Sequence, residues 1–148
     1  MTASTAPLDL NLALAEQIIA AALQKGAEMG FKPLTVAVLD RGGHLIAFAR
    51  QDGSSLLRPQ IAMGKASSAL ALGVSSRTIT AMAAERPSFI AALGPIAPQS
   101  IIPAPGGLLI KGRDAVVIGA VGISGDNSDN DEACALHGLA AAGLEPLN

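Results

Sequence analysis

Residues 106–138 read GGLLIKGRDAVVIGAVGISGDNSDNDEACALHG, and no other stretch constrains the fold as much. Leu108–Lys111 is a short apolar run, Gly112–Arg113–Asp114 carries turn chemistry, and Ala115–Ser124 is a long β-branched run. That order predicts a β-hairpin. Gly119 and Gly122 interrupt its second strand, where a side chain would block a bulge or the close approach of another backbone. The close approach is the better reading, within the chain or across a subunit boundary. The strand then empties through the polar loop 125–130 into a helix. Ser128 and Asp131 have capping-box spacing, and Asp129, Asp131 and Glu132 put negative charge where the helix dipole favours it.

The remainder is arranged around that hairpin. Residues 1–8 are expected to be loose, followed by one domain over 9–148. Asp9 is positioned to cap a helix running to about Met29, with Leu12, Ile19, Ala22, Leu23 and Ala27 near one face and Gly30 as terminator. Leu34–Asp40 and His44–Gln51 form a first hairpin about Arg41–Gly42–Gly43, with both faces of its second strand largely apolar. A helix from about Pro59 to Leu72 ends at Gly73, and Ser75 or Ser76 caps another that stops before Pro87. Residues 87–110 carry no charge but hold five prolines, which predicts a buried irregular crossing and not a membrane span. Two hairpins flanked by helices make an α+β domain, an antiparallel sheet with helical cover.

Composition narrows the classes of partner. Net charge is −2 with both signs interspersed, which gives no electrostatic case for nucleic acid, and with three Phe and no Trp or Tyr base-stacking platforms are nearly absent. No membrane segment and no secretory leader is read in the chain, and a single cysteine suits a reducing, cytoplasmic setting. Half the residues are hydrophobic and 29 are alanine, more apolar surface than a monomer of this size hides, which predicts a homo-oligomer.

Few residues carry chemistry. The glycines of 119–125 lack dinucleotide-fingerprint spacing and lie inside a strand. The acidic loop 126–131 lacks the glycine of a calcium loop at position 6 and has His137 at position 12, so capping explains its acids without a metal. Cys134 and His137 share a helix face, with the cysteine read as a small buried hydrophobe. Lys65 stands within an apolar helical stripe, so its charge needs a partner. Two readings stay open for it. One is a structural ion pair, for instance with Asp40 or Asp52. The other is an anion or carbonyl site facing Gly106 and Gly107, whose bared N–H groups would form a nest.

Gly106–Gly107, GAVGISG at 119–125 and DEACA at 131–135, with VAVLDRGGHLIAFARQDG at 36–53 and Lys65–Ala66, resemble the GlcG/HbpS family of small bacterial proteins. The resemblance covers nearly the whole chain and implies a profilin-like, three-layer α/β/α fold. It also implies a small-ligand-binding function with haem as the ligand. On that reading His44 is a candidate iron donor or a solvated side chain, and Arg41, Arg50 and Arg58 are candidates for the propionates. The alternative is a catabolic enzyme acting on a small hydroxy-, oxo- or unsaturated carboxylic acid in a tautomerase- or hydrolase-like manner. There the arginines with Gly106 and Gly107 would hold the carboxylate, and Lys65 or Asp52 would move a proton.

Overall fold

A computed structural model describes residues 5–147. In chain order the elements are α1 (Leu12–Glu28), β1 (Thr35–Asp40), β2 (Leu45–Arg50), α2 (Arg58–Leu72), α3 (Ser76–Glu85) and α4 (Pro87–Leu93). Then follow β3 (Gly107–Lys111), β4 (Val117–Ser124), α5 (Ser128–Ala141) and β5 (Glu145–Leu147). The strands form one antiparallel sheet in the order β2-β1-β4-β3-β5. The two hairpins meet where β1 pairs with β4, from Thr35 opposite Ser124 to Asp40 opposite Gly119. The fold is α+β, as the element order predicts.

Helices cover both faces of the sheet. On one, Ile18, Ile19 and Ala22 of α1 and Ala135 and Leu139 of α5 pack on Val36, Val38, Leu108, Ile110, Val121 and Ile123. On the other, α2 beds its alanines, Ala66 and Ala69, against Leu39, Leu109 and Ala120. Small residues there let the helix backbone lie directly on the sheet. Gly107 and Gly122 are cross-strand partners. A Cβ on Gly122 would stand 2.0 Å from the Ala62 carbonyl oxygen, and one on Gly107 would stand 2.3 Å from that of Lys65. The close approach read at Gly122 is therefore made by α2 of the same chain, and the one read at Gly119 by β1, where a Cβ would stand 2.3 Å from the Leu39 carbonyl oxygen.

Several local expectations change. Asn11, not Asp9, caps α1 through its side-chain oxygen, while Asp9 pairs with Arg41 and Leu12 is exposed. Pro7 and Leu8 accept hydrogen bonds from Arg113 N–H and the Arg41 guanidinium, which ties this part of the stretch expected to be loose. Asn127 caps α5 by accepting from Asn130 N–H at 2.9 Å, so Ser128 and Asp131 form no capping box. β2 is an edge strand with Leu45 and Phe48 exposed, not covered on both faces. The proline-rich segment forms α4 and a 3-10 turn over Gly94–Ile96, and its residues 94–100 are mostly exposed, not buried. β5 goes unforeseen: it pairs with β3 beyond Gly143, with Lys111 Nζ 2.9 Å from Glu145 Oε2.

Candidate functional site

Helical spacing puts Lys65 on the sheet-facing side of α2, among Ala62, Ala66 and Ala69, and the side chain is only 2% exposed. Its Nζ donates to the Ile123 carbonyl at 2.8 Å and to Asp131 Oδ2 at 3.1 Å. Asp131 lies in the first turn of α5, and its other oxygen accepts from Asp126 N–H at 2.9 Å. The partner of Lys65 is thus Asp131, not Asp40 or Asp52. Burial pushes the Lys65 ammonium down, opposed by Asp131, and pushes the Asp131 carboxyl up, opposed by Lys65. Each charge is desolvated more than its partner compensates, the usual situation for a buried pair.

The glycine pair before β3 serves this arrangement. Gly106 has φ +125°, and a Cβ on it would stand 2.9 Å from Lys65 Nζ and 2.7 Å from the Ile123 carbonyl oxygen. Only glycine leaves room there for the lysine stem. Gly107 does not bare its N–H: it donates to Ser76 Oγ at 2.7 Å. The nest expected from sequence is therefore occupied on the Gly107 side by a side chain of α3.

His44 follows the turn between β1 and β2, and its side chain is 83% exposed. Its Nδ1 lies 3.4 Å from Asp40 Oδ1, which also accepts the N–H groups of Gly42 and His44. Those backbone donors, chiefly that of His44, hold the Asp40 carboxyl below the usual range. Arg41 beside it is engaged by Asp9 and the Leu8 carbonyl. Asp9, Leu10, Asp40, Arg41, His44 and Ile118 enclose a cleft of about 370 Å³.

The remaining candidates lie apart. Arg50 and Asp52 line a different cleft with Ala27, Phe31 and Pro33, at the far end of β2. Six residues at roughly 3.3 Å each separate Arg50 from His44 by about 20 Å. Arg58, at the start of α2, donates to Ser124 Oγ and Ser55 Oγ. Asp52 and Lys65 share no hydrogen bond. Cys134 is fully buried and its thiol is pushed up to about 11, first by burial, while His137 on the same helix is exposed. Among the described residues no group of three or more His, Cys, Asp or Glu converges as a metal site. The acids of the 126–132 segment are spent on protein partners: Asp129 and Glu132 on Arg77, Asp126 on the N–H donors of Lys32, Asn127 and Asn130. Sequence reading missed Asp131 as the partner of Lys65 and Ser76 as that of Gly107. The one signal was an unpaired lysine in an apolar stripe and an excess of acids downstream.

The sequence model of a family described as "Haem degrading protein HbpS-like" matches residues 10–140. The chain belongs to this family. Among solved structures, the Klebsiella pneumoniae protein ORFY is 30% identical, with a TM-score of 0.82 and 97% of each chain covered. HbpS is 25% identical over 95% of this chain and 92% of its own, with a TM-score of 0.77. PduOC, solved as a haem complex, shares the fold at 21% identity and a TM-score of 0.83, over 95% of this chain and all of its own. No curated protein matches by sequence. The membership agrees with a sheet covered on both faces, and no described helix is long and apolar enough to cross a membrane.

Proposed function

We propose that this HbpS-like chain is a small-ligand-binding protein whose ligand is haem, taken at the His44 end of the sheet. The observation that carries the reading is the exposed His44 imidazole with its Nδ1 facing Asp40. A carboxylate behind one ring nitrogen fixes the ring and leaves Nε2 as the donor, the arrangement metal-ligating histidines adopt. The residues fit the group in kind. His44 would be the iron donor and Arg41, paired with Asp9, is the cation nearest for a propionate, with the core residues Leu10 and Ile118 behind the cleft. The family description and the haem complex of PduOC support the choice of ligand. Haem would supply the iron chemistry when bound, while these side chains bind and orient it.

The homo-oligomer expected from composition fits the same reading. A second copy seated on the edge strand would cover its exposed Leu45 and Phe48. A reducing, cytoplasmic setting suits the single buried thiol.

Hemin titration of the whole chain tests the proposal. A sharpened, shifted Soret band saturating near one haem per chain or per pair of chains is expected. His44→Ala should abolish the band, Asp40→Asn should weaken binding several-fold, and His137→Ala should leave it unchanged. Non-saturating binding indifferent to His44→Ala would mean partition into apolar surface and would overturn the assignment.

A further inference from the structure

The opposite end of the sheet carries a second, smaller cleft of about 200 Å³ lined by Lys32, Pro33, Gly53, Ser54, Ser55, Arg58 and Gly125. It is below the roughly 300–1,000 Å³ of pockets that hold drug-sized ligands. Two cationic residues, Lys32 and Arg58, line it. Neither Lys32 nor Arg58 forms a salt bridge with a described carboxylate, although the Lys32 charge acts on Asp126 at longer range. Arg58 is aimed by two serines, Nη1 on Ser124 Oγ at 3.0 Å and Nε on Ser55 Oγ at 3.3 Å. A guanidinium has five N–H donors, so this guanidinium is held in place with donors to spare. Ser54 is only 6% exposed, and its hydroxyl has no hydrogen-bond partner among the described residues. Thr35, the register partner of Ser124, carries a second buried hydroxyl without a partner.

A buried hydroxyl without a partner costs stability unless a ligand satisfies it. The acid closest in sequence, Asp126, is already saturated: Lys32 N–H on one oxygen, Asn127 N–H and Asn130 Nδ2 on the other. Positive charge, spare planar donors and an orphan hydroxyl in a small cleft match one chemistry, that of a small oxyanion. We infer that this cleft is a second binding site, taking a small oxyanion such as a short carboxylate or free phosphate. It does not rest on the haem reading, because Thr35 and Asp40 at the two ends of β1 are about 17 Å apart at roughly 3.3 Å per residue.

Isothermal titration of the full chain with sodium acetate and, separately, inorganic phosphate tests this, against sodium chloride at equal ionic strength. Saturable binding of at least one probe in the millimolar range is expected, near one per chain, with none for chloride. Acetate binding assigns a carboxylate and phosphate binding alone assigns free phosphate. Arg58→Gln should weaken the bound probe at least about tenfold, since it removes charge-assisted hydrogen bonds. Ser54→Ala should weaken it about fivefold while leaving the melting temperature unchanged or raised, because it deletes an orphan hydroxyl. Lys32→Gln, an exposed change, should cost about threefold without affecting folding. No saturable heat with either probe overturns the inference, as does saturation indifferent to Ser54→Ala and Lys32→Gln. Hemin binding should be unchanged in all three variants, which separates failure here from failure at His44.

Discussion

Lys65 and Asp131 meet at 3.1 Å although they come from helices packed on opposite faces of the sheet. The lysine stem passes the end of the sheet beside Gly106, whose missing side chain makes the passage. One buried ion pair therefore joins all three layers.

Removing one partner should cost far more than removing both. Lys65→Met leaves the Asp131 carboxylate buried and unpaired, an expected loss of about 3–5 kcal/mol, whereas Lys65→Met with Asp131→Asn should recover most of it. The single variant should also acquire a pH dependence. Without Lys65 the Asp131 carboxyl, already raised by burial, rises further above 3.8. A carboxyl with a raised folded value contributes stability that is lost as pH rises through that value. Urea unfolding of Lys65→Met should give its highest midpoint at acid pH, below the unfolded value of 3.8, and decline as pH rises above it. A variant as stable as the parent at every pH would remove the pair from the list of structural elements.

Gly122→Ala and Gly107→Ala should both damage the fold. Each added Cβ meets helix backbone, the Ala62 oxygen at 2.0 Å and the Lys65 oxygen at 2.3 Å, and neither neighbour can rotate away. Overpacking of this kind costs about 1–3 kcal/mol or more. Circular-dichroism melts should show a lowered Tm for both; a melt matching the parent would mean α2 lifts freely from the sheet.

Asp126 should govern part of the acid transition. Three N–H donors, led by Lys32 N–H, hold its carboxyl at about 2. A depressed folded value contributes stability above the unfolded value of 3.8, lost as pH falls through about 2. Denaturant midpoints of the parent should therefore fall between about pH 4 and 2 more steeply than those of Asp126→Asn.

Self-association is the expected state in solution. Light scattering at micromolar concentration should return a mass above the 14.8 kDa of one chain. Phe48→Lys with Leu45→Lys on the edge strand should lower that mass if β2 forms the contact. A monomeric parent would contradict the argument from apolar composition.

Local chemistry determined much of this protein. Hydrophobic period, turn residues and terminator glycines placed both hairpins and the major helices, because those signals act over a few residues and depend on no distant neighbour. Gly119 and Gly122 announced a bulge or a close backbone approach, the common reasons for a glycine inside a strand, and both glycines meet close backbone. Lys65 announced a need for compensation. Which groups answered those needs was decided by tertiary structure. Asp131 lies 66 residues from Lys65, and Asp40, Asp52 and Asp131 offer a lysine the same carboxylate until packing fixes which can reach it. Asp9 likewise had the right chemistry for a cap, but Arg41 arrives from 32 residues away and claims it, leaving Asn11 to cap α1. The cleft at Arg58 and Ser54 follows the same rule. Its residues come from the approach to β1, the loop before α2 and the end of β4, and only the sheet register brings them together.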